Sequence, residues 1–182
     1  HVTMQPVFGP NNLHLEQTVI SNEGYRIQFT ELKCYFTSVQ NGSNILSQSA
    51  LFDYRTNGNQ FFTKQGSPSN FSSISCLLGV DSIYNHLDPA AFDNDNPLNI
   101  TIANDMHWDW NPGYIFIKVE AKVDTLDDGV DNFNHFVVFH IGGDEMIQHL
   151  NFPAITWTKI ADHLYHLPLK LDMQYFLENN SH

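Results

Sequence analysis

A chain of 182 residues with 42% hydrophobic and only 15% charged residues is long enough for one domain with a substantial core, and too apolar to be disordered. Its 20 acids against 8 Lys and Arg give a formal net charge of -12, a field that repels nucleic acid and anionic membranes and favours cations. No stretch approaches the roughly 20 apolar residues of a membrane span, so no transmembrane segment is expected.

Strand signals dominate the chain. Val2 to Val7 is a short candidate strand, closed by the turn Gly9-Pro10-Asn11-Asn12, and Leu13 to Ile20 is a second. Tyr25 to Val39 is long and its alternation slips: Tyr25, Ile27 and Phe29 share one parity, whereas Leu32, Cys34 and Phe36 share the other. A bulge near Thr30-Glu31 accounts for the change. Ile45 to Tyr54, Phe61 to Thr63 and Phe71 to Val80 follow, separated by turn-rich pieces such as Asn41-Gly42-Ser43 and Asn57-Gly58-Asn59. Asp81 to Asn99 reads as irregular, with one helical turn around Pro89-Ala90-Ala91. Tyr114 to Val123 alternates cleanly, and Phe136 to Ile141 is apolar on both parities, which predicts a central strand. His163 to Leu171 is a late strand, and Asp172 to Leu177 a short helix. Many short strands with frequent turns predict one all-β domain over 1–182, an antiparallel β-sandwich with long loops and a short C-terminal helix.

The two cysteines, Cys34 and Cys76, sit on inward strand parities and in no C-x-x-C or zinc spacing. Two packed thiols and, in an exported protein, a disulfide between neighbouring strands both satisfy that pattern. No signal-peptide pattern is visible; the abundant Asn and Ser, scarce Lys and many short strands lean towards export after removal of a leader.

The segment Met106-His107-Trp108-Asp109-Trp110-Asn111-Pro112-Gly113-Tyr114 concentrates the chemistry, since two of the three tryptophans lie in it beside His and Met. Imidazole and thioether groups at a strand end suit a soft metal, above all copper. His140, just before Gly142-Gly143, is the second candidate ligand. His135 is on the opposite parity of the same run and is a third choice. Each has a plainer alternative: a loop or rim histidine bonded to backbone or water, and for Trp108 and Trp110 a pair of packed rim aromatics. The acidic loops around Asp88, Asp93 and Asp95 and around Asp124, Asp127, Asp128 and Asp131 carry hard oxygen donors that suit calcium, without EF-hand spacing. His1, were it a mature N-terminus, could brace copper as in oxidative polysaccharide monooxygenases. No hydrolase, zinc-protease or phosphate-loop motif is present, so no catalytic residue is assigned.

Met106 to Tyr114, followed by Phe116, Lys118 and Glu120, resembles the signature of the MbnP-like domain, a family of exported bacterial proteins linked to copper. Leu32 to Ser38, Leu78 to Ser82 and Phe139 to Gly143 resemble further family pieces in the same order. The resemblance implies a periplasmic or surface copper-binding protein without turnover of its own, with Cu(I) on histidines beside a tryptophan oxidised to kynurenine by a di-haem peroxidase-like partner. The alternative is a periplasmic or surface recognition module in which the Trp segment is structural.

Overall fold

Every residue of β1 (Val2–Phe8) is buried except the half-buried Gln5, as befits a strand covered on both faces and flanked by neighbours. The computed structural model describes residues 1–103, 105–108, 113–126 and 128–178. In chain order, β2 (Asn11–Asn12), β3 (Thr18–Ile20), β4 (Arg26–Asn41) and β5 (Asn44–Asp53) come next. Then follow the single-turn α1 (Tyr54–Asn57), β6 (Gln60–Phe62), β7 (Ile74–Leu78), α2 (Ser82–Asn85) and α3 (Ile100–Ala103). The chain continues with β8 (Ile115–Asp124), β9 (His135–Gly142), β10 (Gln148–Phe152), β11 (Thr158–Ala161), β12 (Leu164–Asp172) and α4 (Met173–Glu178). One sheet has the order β11-β12-β1-β2 with β6 also on β1; the other runs β10-β7-β4-β8-β9 with β3 and β5 also on β4. The sheets face each other across a core that includes Met4, Phe29, Leu32, Phe52 and Leu167, and the expected β-sandwich is what forms.

Several expectations hold in detail. The register of β4 against β8 shifts between Phe29 and Glu31, where the parity of the sequence slips. A 3-10 turn covers Pro89–Ala91, and the chain's late strand and short helix are β12 and α4. Others need correction. The pairing is not wholly antiparallel, because β1 and β12 run parallel, Val2 opposite Leu167 and Val7 opposite Asp172. Strands from the two ends of a chain need no hairpin, so nothing forces them antiparallel. Only Thr18–Ile20 of the second predicted strand pairs; Glu16, at φ 63, breaks it, and Leu13 is fully buried as a plug. The strand predicted from Phe71 starts at Ile74 after a 3-10 turn and stops at Gly79, whose φ is 122.

The predicted central strand is β9, and it lies at an edge of the sheet order. Its two apolar parities have different destinations. Val137 packs towards the core and Phe139 meets the Phe176 ring of α4 at 5.6 Å, whereas Phe136 is 72% exposed. A run that looks doubly buried by composition is here only half-buried, at Val137 and Ile141, on the face towards the core.

A smaller apolar cluster sits on the other face of the larger sheet. Tyr35 alternates with Cys34 and Phe36 on β4, so it points away from the sandwich, towards Val80, Leu98, Met106, Tyr114 and Phe116. Its hydroxyl donates to Pro97 O at 2.9 Å, that of Tyr114 donates to Leu98 O at 2.5 Å, and the two rings meet edge to face at 5.6 Å. This cluster fixes Ala103, Met106 and Tyr114 onto the sheet.

Candidate functional site

Met106 anchors the Trp segment. Its side chain is fully buried in the smaller cluster, so the thioether is packing and not an exposed donor. Ile115 N–H donates to Met106 O at 2.9 Å and Trp108 N–H to Gly113 O at 3.2 Å, with His107 bridged to Tyr114. Met106 to Trp108 thus pair with Gly113 to Ile115, where β8 begins. Alternation sends neighbouring side chains opposite ways. The His107 ring meets the Tyr114 ring edge to face at 5.2 Å, while Trp108 turns towards β9. Trp110 and Pro112 lie outside the described residues.

Trp108 rests on Gly142. A Cβ at Gly142 would fall 2.5 Å from Trp108 Cη2 and closer still to Tyr114 O, so glycine makes the room the indole occupies. Its neighbour is glycine for another reason: Gly143 has φ 101, the left-handed region, where the chain leaves β9. Gly142 shares its face of β9 with His140, two residues back and roughly 7 Å along the strand. Between them β8 carries a register shift from Ile115 to Ile117, which pairs Lys118 with His140 and Ile115 with Gly142. Bulges of this kind re-aim side chains beside sites.

His140 is held by a carboxylate. Its Nε2–H donates to Glu120 Oε1 at 2.8 Å, which leaves the lone pair on Nδ1. Glu120 in turn approaches Lys118 Nζ at 3.7 Å, and Lys118 and Lys33 both donate to Asp105, at 2.8 and 3.0 Å. Burial alone would raise the Asp105 carboxyl, but the hydrogen bonds from Lys118 and Lys33 outweigh it and hold the carboxyl below its ordinary value. Burial would likewise lower Lys33, and Asp105, Asp53 and Glu31 together keep it raised. His140 therefore ends a row of fixed, alternating charges with an acid beside it.

A second imidazole–carboxylate pair borders a cleft beside Trp108. His86 Nε2–H donates to Asp144 Oδ2 at 3.1 Å, and the cleft walls include Trp108, Gly142, Gly143 and Glu145. Asn85, 1% exposed, ties the parts together: its Oδ1 accepts from Tyr114 N–H at 2.8 Å and its Nδ2 donates to Asp144 Oδ1 at 2.7 Å. That bond, with the one from His86, outweighs the small effect of burial and holds the Asp144 carboxyl below its usual value. His86 was not a candidate in the sequence, where Asn85-His86 merges into the acidic stretch that follows. The signal was Asp81, which caps the short helix that delivers His86 at its end.

The remaining candidates are dispersed. His135 pairs with Val123 at the far end of β9, on the face opposite His140. Cys34 and Cys76 are free, buried thiols on neighbouring strands, and the anticipated disulfide is corrected. Cys34 is paired with Phe52 and Ile117, whereas Cys76 lies between the pairs Thr37–Leu77 and Gln40–Ser75, some four or five residues along β4. That is roughly 15 Å, against the 4.4–6.8 Å between α-carbons that a disulfide requires, taken as rough limits. Burial pushes the Cys34 thiol up to about 12 and that of Cys76 to about 11.

The calcium expectation finds no support. Asp88, Asp124 and Asp128 accept from backbone N–H groups of their own turns, Asp131 pairs with Arg26, and Asp127 is outside the described residues. The His1 amine donates to Tyr165 O at 3.0 Å and its Nδ1 lies 3.1 Å from Thr63 Oγ1, so both nitrogens of a copper brace are engaged with the protein. Among the described residues, no three His, Cys, Asp or Glu side chains converge in an arrangement that could hold a metal ion.

A family model described as MbnP matches residues 1–182. Among solved structures, MbnP from Methylosinus trichosporium is similar to this chain, with a TM-score of 0.52 at 15% identity, over 85% of this chain and 71% of that one. At that identity the likeness concerns the fold. No curated protein matches.

Proposed function

The chain belongs to the MbnP family, and from that premise we propose that it is an exported copper-binding protein without turnover of its own. Its metal is anchored at the rim of the larger sheet where His140 and Trp108 share one face. The observation that carries this is the Glu120–His140 pair. A carboxylate that takes one imidazole N–H fixes the tautomer and makes the other nitrogen a better donor, the usual support of a metal-bound histidine. Imidazole suits copper, and two or three such donors satisfy a low-coordinate Cu(I). The donor set fits that ion better than calcium, which needs six or more oxygens.

His140 supplies Nδ1. His107 is the second ligand in this reading, with its ring turned away from the Tyr114 ring that it meets in this structure. A bound Cu(I) would supply one positive charge beside Glu120, in a protein whose formal net charge is -12. The kynurenine expectation falls on Trp108 or Trp110. Trp108 is half-buried and borders the open cleft, so a di-haem peroxidase-like partner could reach its indole. The free thiols lend export no support; export rests on the family resemblance and the strand-rich, Lys-poor composition.

A second reading keeps Trp108 purely structural, in a recognition module, and the fit of its ring over Gly142 favours it. Metal analysis with intact mass on natively expressed protein separates the two. We expect about one copper per chain and a mass showing one oxidised Trp. Protein free of copper, with all its tryptophans intact, would favour the structural reading.

A further inference from the structure

On the opposite face of the larger sheet from Trp108, the sandwich encloses a second site, a cavity of about 180 Å³. Among the described residues β10 pairs only with β7, and β12 only with β1 and β11, so no ladder closes this side of the sandwich. The walls are alternate residues of facing strands: Leu167, Leu169 and Leu171 on β12, and Ile74, Cys76 and Leu78 on β7. Leu150 and Phe152 of β10 are half-buried at the rim. Among the described residues of the lining, Lys170 alone carries a charge.

Protein interiors are close-packed, with few voids larger than a water molecule. A void with apolar walls stays dry, and its lining forfeits dispersion contacts until something fills it. An apolar cavity of about 150 Å³ is enough to take up benzene. Here the shape adds information. Three alternate residues on each wall span roughly 13 Å, so the volume is long and narrow, which suits a chain rather than a ring. We propose that this cavity binds one medium-length alkyl chain, entering between β10 and β12.

Thermal unfolding with octanoate, octanol and acetate tests the site. Octanoate and octanol should both raise Tm in a saturable way, and acetate not at all. Cys76 gives an independent readout without mutation, because it lines the cavity and Cys34 does not. At alkaline pH, octanoate should slow modification of Cys76 by methyl methanethiosulfonate several-fold and leave Cys34 unchanged. A Val39→Phe variant that keeps its β-type circular dichroism should lose both effects. Absence of a saturable shift together with unprotected Cys76, or binding that persists in the filled variant, would overturn the proposal.

Discussion

Replacing Asn85 by Leu should destabilise the protein by about 2–4 kcal/mol, through the unpaired buried N–H it leaves and the charge-assisted bond it removes. Asn85 is almost wholly buried and accepts from Tyr114 N–H while donating to Asp144. Leucine is close in size, so the loss is one of hydrogen bonds and not of volume. The Tyr114 N–H has no route to water, since Tyr114 is fully buried. Asp144 is half-exposed and recovers solvent, which keeps the estimate below that for two orphaned groups. Asn85→Asp should be worse at neutral pH, because it sets a second carboxylate against Asp144 Oδ1, and should recover as pH falls and one of the two takes a proton. Urea unfolding at pH 7 and at pH 5 measures both. A loss under about 0.5 kcal/mol for Asn85→Leu would mean that Tyr114 finds another partner.

The second large effect is expected at Gly142. Alanine there places a methyl within 2.5 Å of Trp108 Cη2 and closer still to the Tyr114 carbonyl. The indole can swing away, but the carbonyl belongs to the backbone entering β8. Overpacking of this kind costs about 1–3 kcal/mol, and Gly142→Val should reach the upper end. The outward swing of Trp108 should also red-shift its fluorescence and expose it to acrylamide. Gly143→Ala should instead cost stability through its left-handed φ, with the indole undisturbed. Wild-type stability and emission in Gly142→Val would show that Trp108 does not rest there.

The same glycine shows how far the sequence could be read. Gly142-Gly143 predicts a tight exit from β9, and Gly143 provides it; that Gly142 is a seat for an indole thirty-four residues earlier in the chain depends on tertiary contact alone. Strand positions followed from alternation, and even the slip near Thr30-Glu31 marks a real register shift. The strands that alternation missed, β10 and β11, are short and largely exposed, so they carry little apolar pattern. The edge position of β9 was hidden because Phe136 and Val138 are exposed apolar residues, indistinguishable by composition from buried ones.

In the candidate site, His140 and Trp108 were legible from residue type and parity. Glu120 as the partner of His140 was not, since it depends on the register between β8 and β9. His86 escaped for the same reason: Asp144, which holds it, is fifty-eight residues away. The cysteines share the right parity and neighbouring strands, yet parity says nothing of offset along a strand, and the offset is what keeps them apart.

His140, held by Glu120, is the proposed copper ligand. Anaerobic competition of Cu(I) between the protein and a coloured chelator tests it most directly. His140→Ala should abolish tight binding, Glu120→Gln should weaken it by about 10–100-fold as the imidazole loses its support, and His149→Ala should leave it unchanged. Cu(I) affinity equal to that of the unaltered protein in a folded His140→Ala variant would contradict the claim.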